Sequence, residues 1–117
     1  MSDYEQQLIE ATDAISNEEY EKALLIVTPL VEKEVPGALG LLGSMYQVGV
    51  GVPHDVPKAV ELLTQAYELG DGVAAHNLGT IYGMGQHGVE QDLPKSKYYY
   101  REAKKMGAQF ASDEFYE

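Results

Sequence analysis

The side chains that could do metal or acid–base chemistry are few in this chain. Its three histidines are His54, His76 and His87. Zinc or iron is usually bound by histidines three or four residues apart on a helix, or by three ligand residues that converge from different parts of the chain. No two of these histidines have that spacing, so we expect no metal site and no cofactor.

Nucleophilic and phosphate-binding motifs give no better support for catalysis. The chain has no cysteine, and Ser44 falls inside a predicted helix instead of the G-x-S-x-G turn that exposes a catalytic serine. Residues 83–88 fit G-x-G-x-x-G, but the dinucleotide fingerprint requires a preceding strand, and here a helix precedes. Adjacent acids such as Glu18 and Glu19 suit the first turn of a helix. The sequence therefore predicts no catalytic residue and no enzyme.

The charge of the chain limits its partners. Its 19 acids and 8 bases give a net charge of −11, whereas nucleic acids and anionic membranes are bound by clustered Lys and Arg. We expect neither as a partner. The charges are also segregated, with nine acids and two bases in residues 1–34 and five bases and one acid in residues 93–106. This pattern fits either a solvated charged face or an acidic surface that steers a basic partner.

The start of the chain indicates a cytoplasmic protein. It is acidic and lacks the basic region and apolar run of a secretory signal. No stretch reaches the 18 apolar residues of a membrane span, and the absence of cysteine favours a reducing compartment.

Apolar residues at helical spacing predict the elements of the fold. Residues 3–34 form a helical hairpin with a break at Ser16-Asn17, where Asn17 is expected to cap the second helix. Pro29 predicts a kink or an early end of that helix. Further helices are predicted for residues 38–48, 57–68, 73–84 and 94–106, and no strand is predicted.

Two stretches of the chain repeat each other. Leu42 and Leu78 are 36 residues apart, whereas Asp55 and Asp92 are 37 apart, so the second copy has one extra residue in its loop. A period of this length is typical of stacked supersecondary units. The predicted fold is therefore all-α, a short α-solenoid of about three antiparallel helix pairs with a C-terminal capping helix.

The repeated pattern A-x-x-x-L-G-x-x-Y, followed by G-x-G-V-x-x-D-x-x-K-A, is similar to the Sel-one-like repeat family, close relatives of the tetratricopeptide repeats. Ser96 departs from it where the first copy has Ala59, and loop 85–88 is one residue longer than usual. The resemblance implies a single repeat domain: a tetratricopeptide-like pair at 1–36, repeats at 37–72 and 73–107, and a partial capping helix at 108–117. The pattern residues are Ala38, Leu42, Gly43, Tyr46, Gly49, Gly51, Val52, Asp55, Lys58, Ala59, Ala66 and Gly70, and then Ala74, Leu78, Gly79, Tyr82, Gly85, Gly88, Val89, Asp92, Lys95, Ala103 and Gly107.

The same resemblance implies a non-catalytic scaffold or adaptor. Stacked helix pairs expose a concave surface, made mainly by the first helix of each pair, that binds a peptide or protein. The residues expected to contact the partner are small or polar: Gly40, Ser44, Gln47, His76, Thr80 and Met84.

Two alternatives remain open at this point. Small size and strong acidity would suit a bacterial immunity-type protein that neutralises a basic toxin. The second alternative is an oligomerisation module, that is, a weak homo-oligomer in which the basic 95–105 segment of one copy meets the acidic 1–34 segment of another.

The side chains of the run Tyr98-Tyr99-Tyr100 must point in three directions about 100° apart on a helix. At least one of these tyrosines is therefore expected to be exposed or to face a partner.

Overall fold

The structure is a computed structural model that describes residues 3–108, and this part of the chain is all-α. It contains six helices and no strand, which confirms the predicted fold class. The helices are α1 Asp3–Ser16, α2 Tyr20–Glu32, α3 Pro36–Val48, α4 Val56–Glu68, α5 Gly72–Met84 and α6 Leu93–Lys105.

The helices stack as three pairs. Helix α1 packs on α2, α3 on α4, and α5 on α6, and the short connections make each pair antiparallel. Successive pairs meet through α2 with α3 and through α4 with α5. The first helices also touch one another, α1 with α3 and α3 with α5. The first helices therefore form one row and the second helices another.

The main core lies where the second and third pairs meet. Leu63 of α4 is fully buried there, together with Leu78 and Ile81 of α5. Met45 of α3 joins a smaller core with Ala14 and Ala23 of the first pair. Each pair thus buries its apolar surface against its neighbour, as expected for a solenoid.

Aspartate side chains cap α4 and α6. Asp55 Oδ1 accepts a hydrogen bond from the Lys58 backbone N–H at 3.0 Å, and Asp92 Oδ1 accepts one from Lys95 at the same distance. A carboxylate that satisfies an unpaired N–H at a helix start contributes about 1 kcal/mol. These caps fix where α4 and α6 begin.

Glycine permits the close approach of helices within each repeat. A Cβ on Gly43 would lie 2.9 Å from Leu63 Cγ, and one on Gly79 would lie 2.6 Å from Tyr100 Cδ1. Both distances are shorter than van der Waals contact. These two glycines are therefore packing residues.

The predicted Asn17 cap in the first hairpin is wrong. Helix α2 starts at Tyr20 with Glu19 as its N-cap, and no side chain caps it. Asn17 instead belongs to the end of α1, because its N–H donates to the Asp13 carbonyl at 3.0 Å. Of the two outcomes predicted for Pro29, the early end does not occur, since α2 continues to Glu32, and a kink stays a prediction. The predicted capping helix at 108–117 lies, apart from Ala108, outside the described residues.

The end of α2 has a glutamate, Glu34, at a position where the ends of α4 and α6 have a glycine. It has a φ of +55° directly after the C-cap of α2, the position that Gly70 and Gly107 occupy after α4 and α6. This left-handed conformation costs a residue with a Cβ about 1 kcal/mol. Glu34→Gly should therefore raise the free energy of unfolding by about that amount in urea titrations followed by circular dichroism. Glu34→Ala removes the same charge but keeps the strain, and an equal gain in that variant would contradict the explanation.

Candidate functional site

A shallow groove runs across the row of first helices. It has a volume of about 240 Å³, and its walls include Leu8 and Thr12 of α1, Leu41 of α3 and Val73 of α5. A second depression of about 310 Å³ shares Leu8 and Thr12 and continues along α1. The remaining lining residues are Gly37, Gly40, Ser44, Asp71, Ala74 and Asn77 in the first cavity, and Glu5, Ile9 and Asp13 in the second.

Hydrogen bonds hold the floor of the groove in place. The Asn77 side-chain amide donates to Ser44 Oγ at 2.9 Å, and Ser44 Oγ donates to the Gly40 carbonyl at 3.0 Å. The first bond joins α5 to α3. The floor therefore has defined polar groups before any partner is present.

Asp71 caps α5 at the wall of this groove. Its Oδ1 accepts hydrogen bonds from the backbone N–H groups of Val73 at 3.0 Å and Ala74 at 3.4 Å. Its Oδ2 lies over Gly40, so close that a Cβ there would be 2.5 Å away. Burial raises the pKa of the Asp71 carboxyl above its ordinary value, and the two backbone hydrogen bonds act in the opposite direction.

A larger cavity of about 700 Å³ lies at the loops that join α3 to α4 and α5 to α6. It brings His54 and His87 together, with ring centroids 5.7 Å apart and planes at 86°. Their separation of 33 residues gives no sign of this contact in the sequence. Among the described residues, no group of three or more His, Cys, Asp or Glu side chains is placed to hold a metal ion.

The tyrosine run of α6 is largely a packing feature. Tyr99 stacks on Tyr82 with centroids 5.9 Å apart, and Tyr67 of α4 donates a hydrogen bond to Glu102 Oε1 at 2.9 Å. The hydroxyl oxygens of Tyr67 and Tyr98 are 2.8 Å apart. This contact, with burial, raises the pKa of Tyr67, and the bond from Tyr67 lowers the pKa of Glu102. Tyr98 is the outward member of the run and is 49% exposed.

Two segments of the chain, residues 36–71 and 72–107, match the family model described as Sel1 repeat. The protein belongs to the Sel1 repeat family. Members of this family generally mediate protein–protein interactions and are typically non-catalytic scaffolds. The first Sel1 repeat is thus α3 with α4, and the second is α5 with α6.

Solved structures with a similar fold are also Sel1 repeat or SLR-fold proteins. The fold is similar to a Sel1 repeat protein from Oxalobacter formigenes, with 25% identity and a TM-score of 0.74, over 85% of this chain and 39% of that one. It is equally similar, at 25% identity and a TM-score of 0.74, to a protective antigen with an SLR fold present in uropathogenic Escherichia coli strains. That match covers 89% of this chain and 23% of the antigen. The chain therefore spans well under half the length of either protein.

The curated proteins contain no significant match to the sequence. None of the helices in residues 3–108 has the length and apolar character needed to cross a membrane.

The structure distributes the six predicted contact residues over three places. Gly40 and Ser44 line the groove, although Gly40 is buried and offers only backbone. Gln47 and Met84 line the loop cavity instead. Their role in partner binding stays a prediction.

The last two predicted contact residues, His76 and Thr80, lie on α5 beside Tyr100 of α6. Thr80 Oγ1 is 2.9 Å from the Tyr100 hydroxyl, and the His76 ring centroid is 5.3 Å from that of Tyr100. Burial lowers the pKa of His76. The six residues thus do not line one of the cavities described above, and a role for these two in binding also stays a prediction.

Several groove residues were not predicted from the sequence. Leu41 and Asn77 occupy equivalent positions 36 residues apart in the two Sel1 repeats, and this register could have indicated them. Leu8 and Thr12 could not be found in this way because the first pair lacks the repeat pattern. Asp71 reads in the sequence as an ordinary loop acid.

Proposed function

We propose that this protein is a non-catalytic scaffold whose groove, lined by α1, α3 and α5, binds a short segment of a partner protein. The observation that supports the proposal is the composition of the groove. The apolar side chains of Leu8 on α1 and Val73 on α5 line the groove together with the hydrogen-bonded floor at Ser44. Apolar anchors beside a few fixed polar groups suit recognition of a peptide.

The dimensions of the groove favour a macromolecular ligand over a small molecule. Small-molecule sites are usually cavities of about 300–1,000 Å³ that enclose most of the ligand. This groove is smaller, at about 240 Å³, and joins a second open depression along α1. A peptide segment that crosses the first helices would occupy both the groove and this second depression.

The proposal is tested by photo-crosslinking in the cells that produce the protein. A photo-reactive amino acid at Val73 should give a discrete adduct with one partner. Thr12→Tyr, which fills both depressions, should remove that adduct. Thr28→Tyr introduces the same side chain at an exposed position of α2 outside the groove and should leave the adduct unchanged.

Two outcomes would contradict the proposal. One is an adduct from Val73 that persists in the Thr12→Tyr variant. The other is the same adduct formed from Leu25, which is 78% exposed on α2 and lines a separate surface.

A second candidate function is weak self-association. Acidic Glu10 and Asp13 are exposed on α1 of the first pair, and basic Lys97 and Arg101 are exposed on α6 of the last. Opposite charges on the two end pairs of the stack favour contact between copies. Sedimentation should then detect a dimer at low salt that dissociates at high salt, and a monomer at every salt concentration would exclude this role. The immunity-type role has no structural observation of its own and stays a hypothesis.

A further inference from the structure

Asp71 differs from the other two capping aspartates in its surroundings. Asp55 and Asp92 start the second helices α4 and α6, and each accepts one backbone hydrogen bond. Asp71 starts a first helix, accepts two, and lies half-buried at the groove wall. The same cap position before α3 is occupied by Val35, which has no side-chain cap.

The second carboxylate oxygen of Asp71 has no partner within residues 3–108. Both backbone hydrogen bonds go to Oδ1, whereas Oδ2 fits the space left by the missing side chain of Gly40. Partial removal of an ionised carboxylate from water costs free energy unless a cation or a donor compensates. The raised pKa of Asp71 is the expected result of that cost.

The groove itself does not supply the missing cation. Among the described residues that line the two depressions, Glu5, Asp13 and Asp71 are acids and none is Lys, Arg or His. Apolar side chains of Leu41 and Val73 stand in the same cavity as Asp71. A ligand that complements these features carries a positive charge at the end of an apolar stem.

We infer that the partner segment presents a lysine or arginine whose cationic group pairs with Asp71 Oδ2, while its methylene stem packs against Leu41 and Val73. This inference rests on the proposed function. Both side chains bury apolar stems and keep a charged end hydrogen-bonded, which fits this arrangement of surfaces. A metal ion is the weaker choice because no three suitable ligands converge among the described residues.

The substitution Asp71→Asn separates partner binding from helix capping. Asn caps helices about as well as Asp, so α5 should still form. The folded pKa of Asp71 is raised, so its contribution to stability is complete below the unfolded pKa of about 3.9 and is lost as the pH rises through the folded value. Asp71→Asn removes that loss, and the variant should be at least as stable as the wild type at pH 7. Asp55→Asn is the matched control, a cap of the same type outside the groove.

The experiment uses random peptides displayed on phage and selected on the immobilised protein. Enriched peptides are synthesised with a fluorescein label, and their Kd values are measured by fluorescence anisotropy. Peptides that lose binding to Thr12→Tyr should contain Lys or Arg. Their affinity should fall about tenfold with Asp71→Asn, as expected for a charge-assisted hydrogen bond, and less than twofold with Asp55→Asn. Replacing the peptide's Lys or Arg by Gln should abolish the effect of Asp71→Asn.

The pH dependence gives a further readout that a purely structural role would not produce. Only ionised Asp71 attracts a cation, so peptide affinity should decrease as the pH is lowered through the raised pKa of Asp71. That decrease should be absent in Asp71→Asn.

The results distinguish failure of this inference from failure of the proposed function. Peptides that require an open groove but bind Asp71→Asn as tightly as wild type would overturn the inference and leave the scaffold function standing. If no selected peptide is sensitive to Thr12→Tyr, the groove does not bind peptides and the proposed function fails.

Discussion

Leu63→Ala is expected to lower the free energy of unfolding by about 3 kcal/mol. Leu63 is fully buried in the main core, with α5 residues Leu78 and Ile81 in the same cluster. Truncation removes buried apolar surface and leaves a cavity between the two Sel1 repeats. Because a solenoid depends on contacts between neighbouring repeats, the loss should weaken the attachment of α5 and α6 as well as α4.

Urea titration followed by circular dichroism measures this effect. The matched control is Leu25→Ala, the same substitution at a side chain that is 78% exposed on α2. The control should change stability by less than about 0.5 kcal/mol. A similar loss in both variants would show that helix content, and not burial, determines the result.

Gly43→Leu should have an effect of similar size, about 3 kcal/mol of destabilisation. Leucine is a better helix former than glycine by roughly 1 kcal/mol, so propensity alone predicts the opposite sign. The helix contact decides, because even the first added carbon would lie 2.9 Å from Leu63 Cγ and 3.3 Å from Leu62 Cβ. Leu62 Cβ is fixed by the α4 backbone, and Leu63 Cγ can move only through a rotamer change of a fully buried side chain.

Smaller substitutions test the same explanation if Gly43→Leu fails to fold. Gly43→Ala should destabilise measurably, whereas Gly37→Ala on the same helix should be neutral or stabilising. The Cβ at position 37 meets Leu8 Cδ1 at 2.6 Å, and that atom is the end of a flexible side chain. Equal melting temperatures for the two alanine variants would contradict the proposed difference in packing.

Local chemistry explains why so much of the fold was predictable. Asp55 and Asp92 precede proline-containing helix starts, and capping depends on residues within a few positions of each other. The glycines that follow α4 and α6 were predictable for the same reason. The error at Asn17 shows the limit, because an Asn followed by glutamates suits a helix start, whereas here Glu18 has a positive φ and Glu19 is the N-cap of α2.

Contacts between distant residues account for what could not be predicted. The groove depends on which turn of α5 faces which turn of α3, and the Asn77–Ser44 hydrogen bond spans 33 residues. The histidine contact in the loop cavity depends likewise on how the loops stack. No periodicity in the sequence specifies such pairs, so the sequence did not indicate that Gly40 and Ser44 line the groove whereas Gln47 and Met84 line the larger loop cavity.

The close contact of Asp71 with Gly40 also has a consequence for how a protein of this kind could gain further repeats by gene duplication. In the second Sel1 repeat the position of Gly40 is taken by His76, and the position of Asp71 after the next helix end is taken by Ala108. A duplicated repeat that brought its own aspartate against His76 would find the imidazole in the space that a glycine leaves open. Tandem duplication at this point of the gene would therefore need a compensating substitution at one of these two positions.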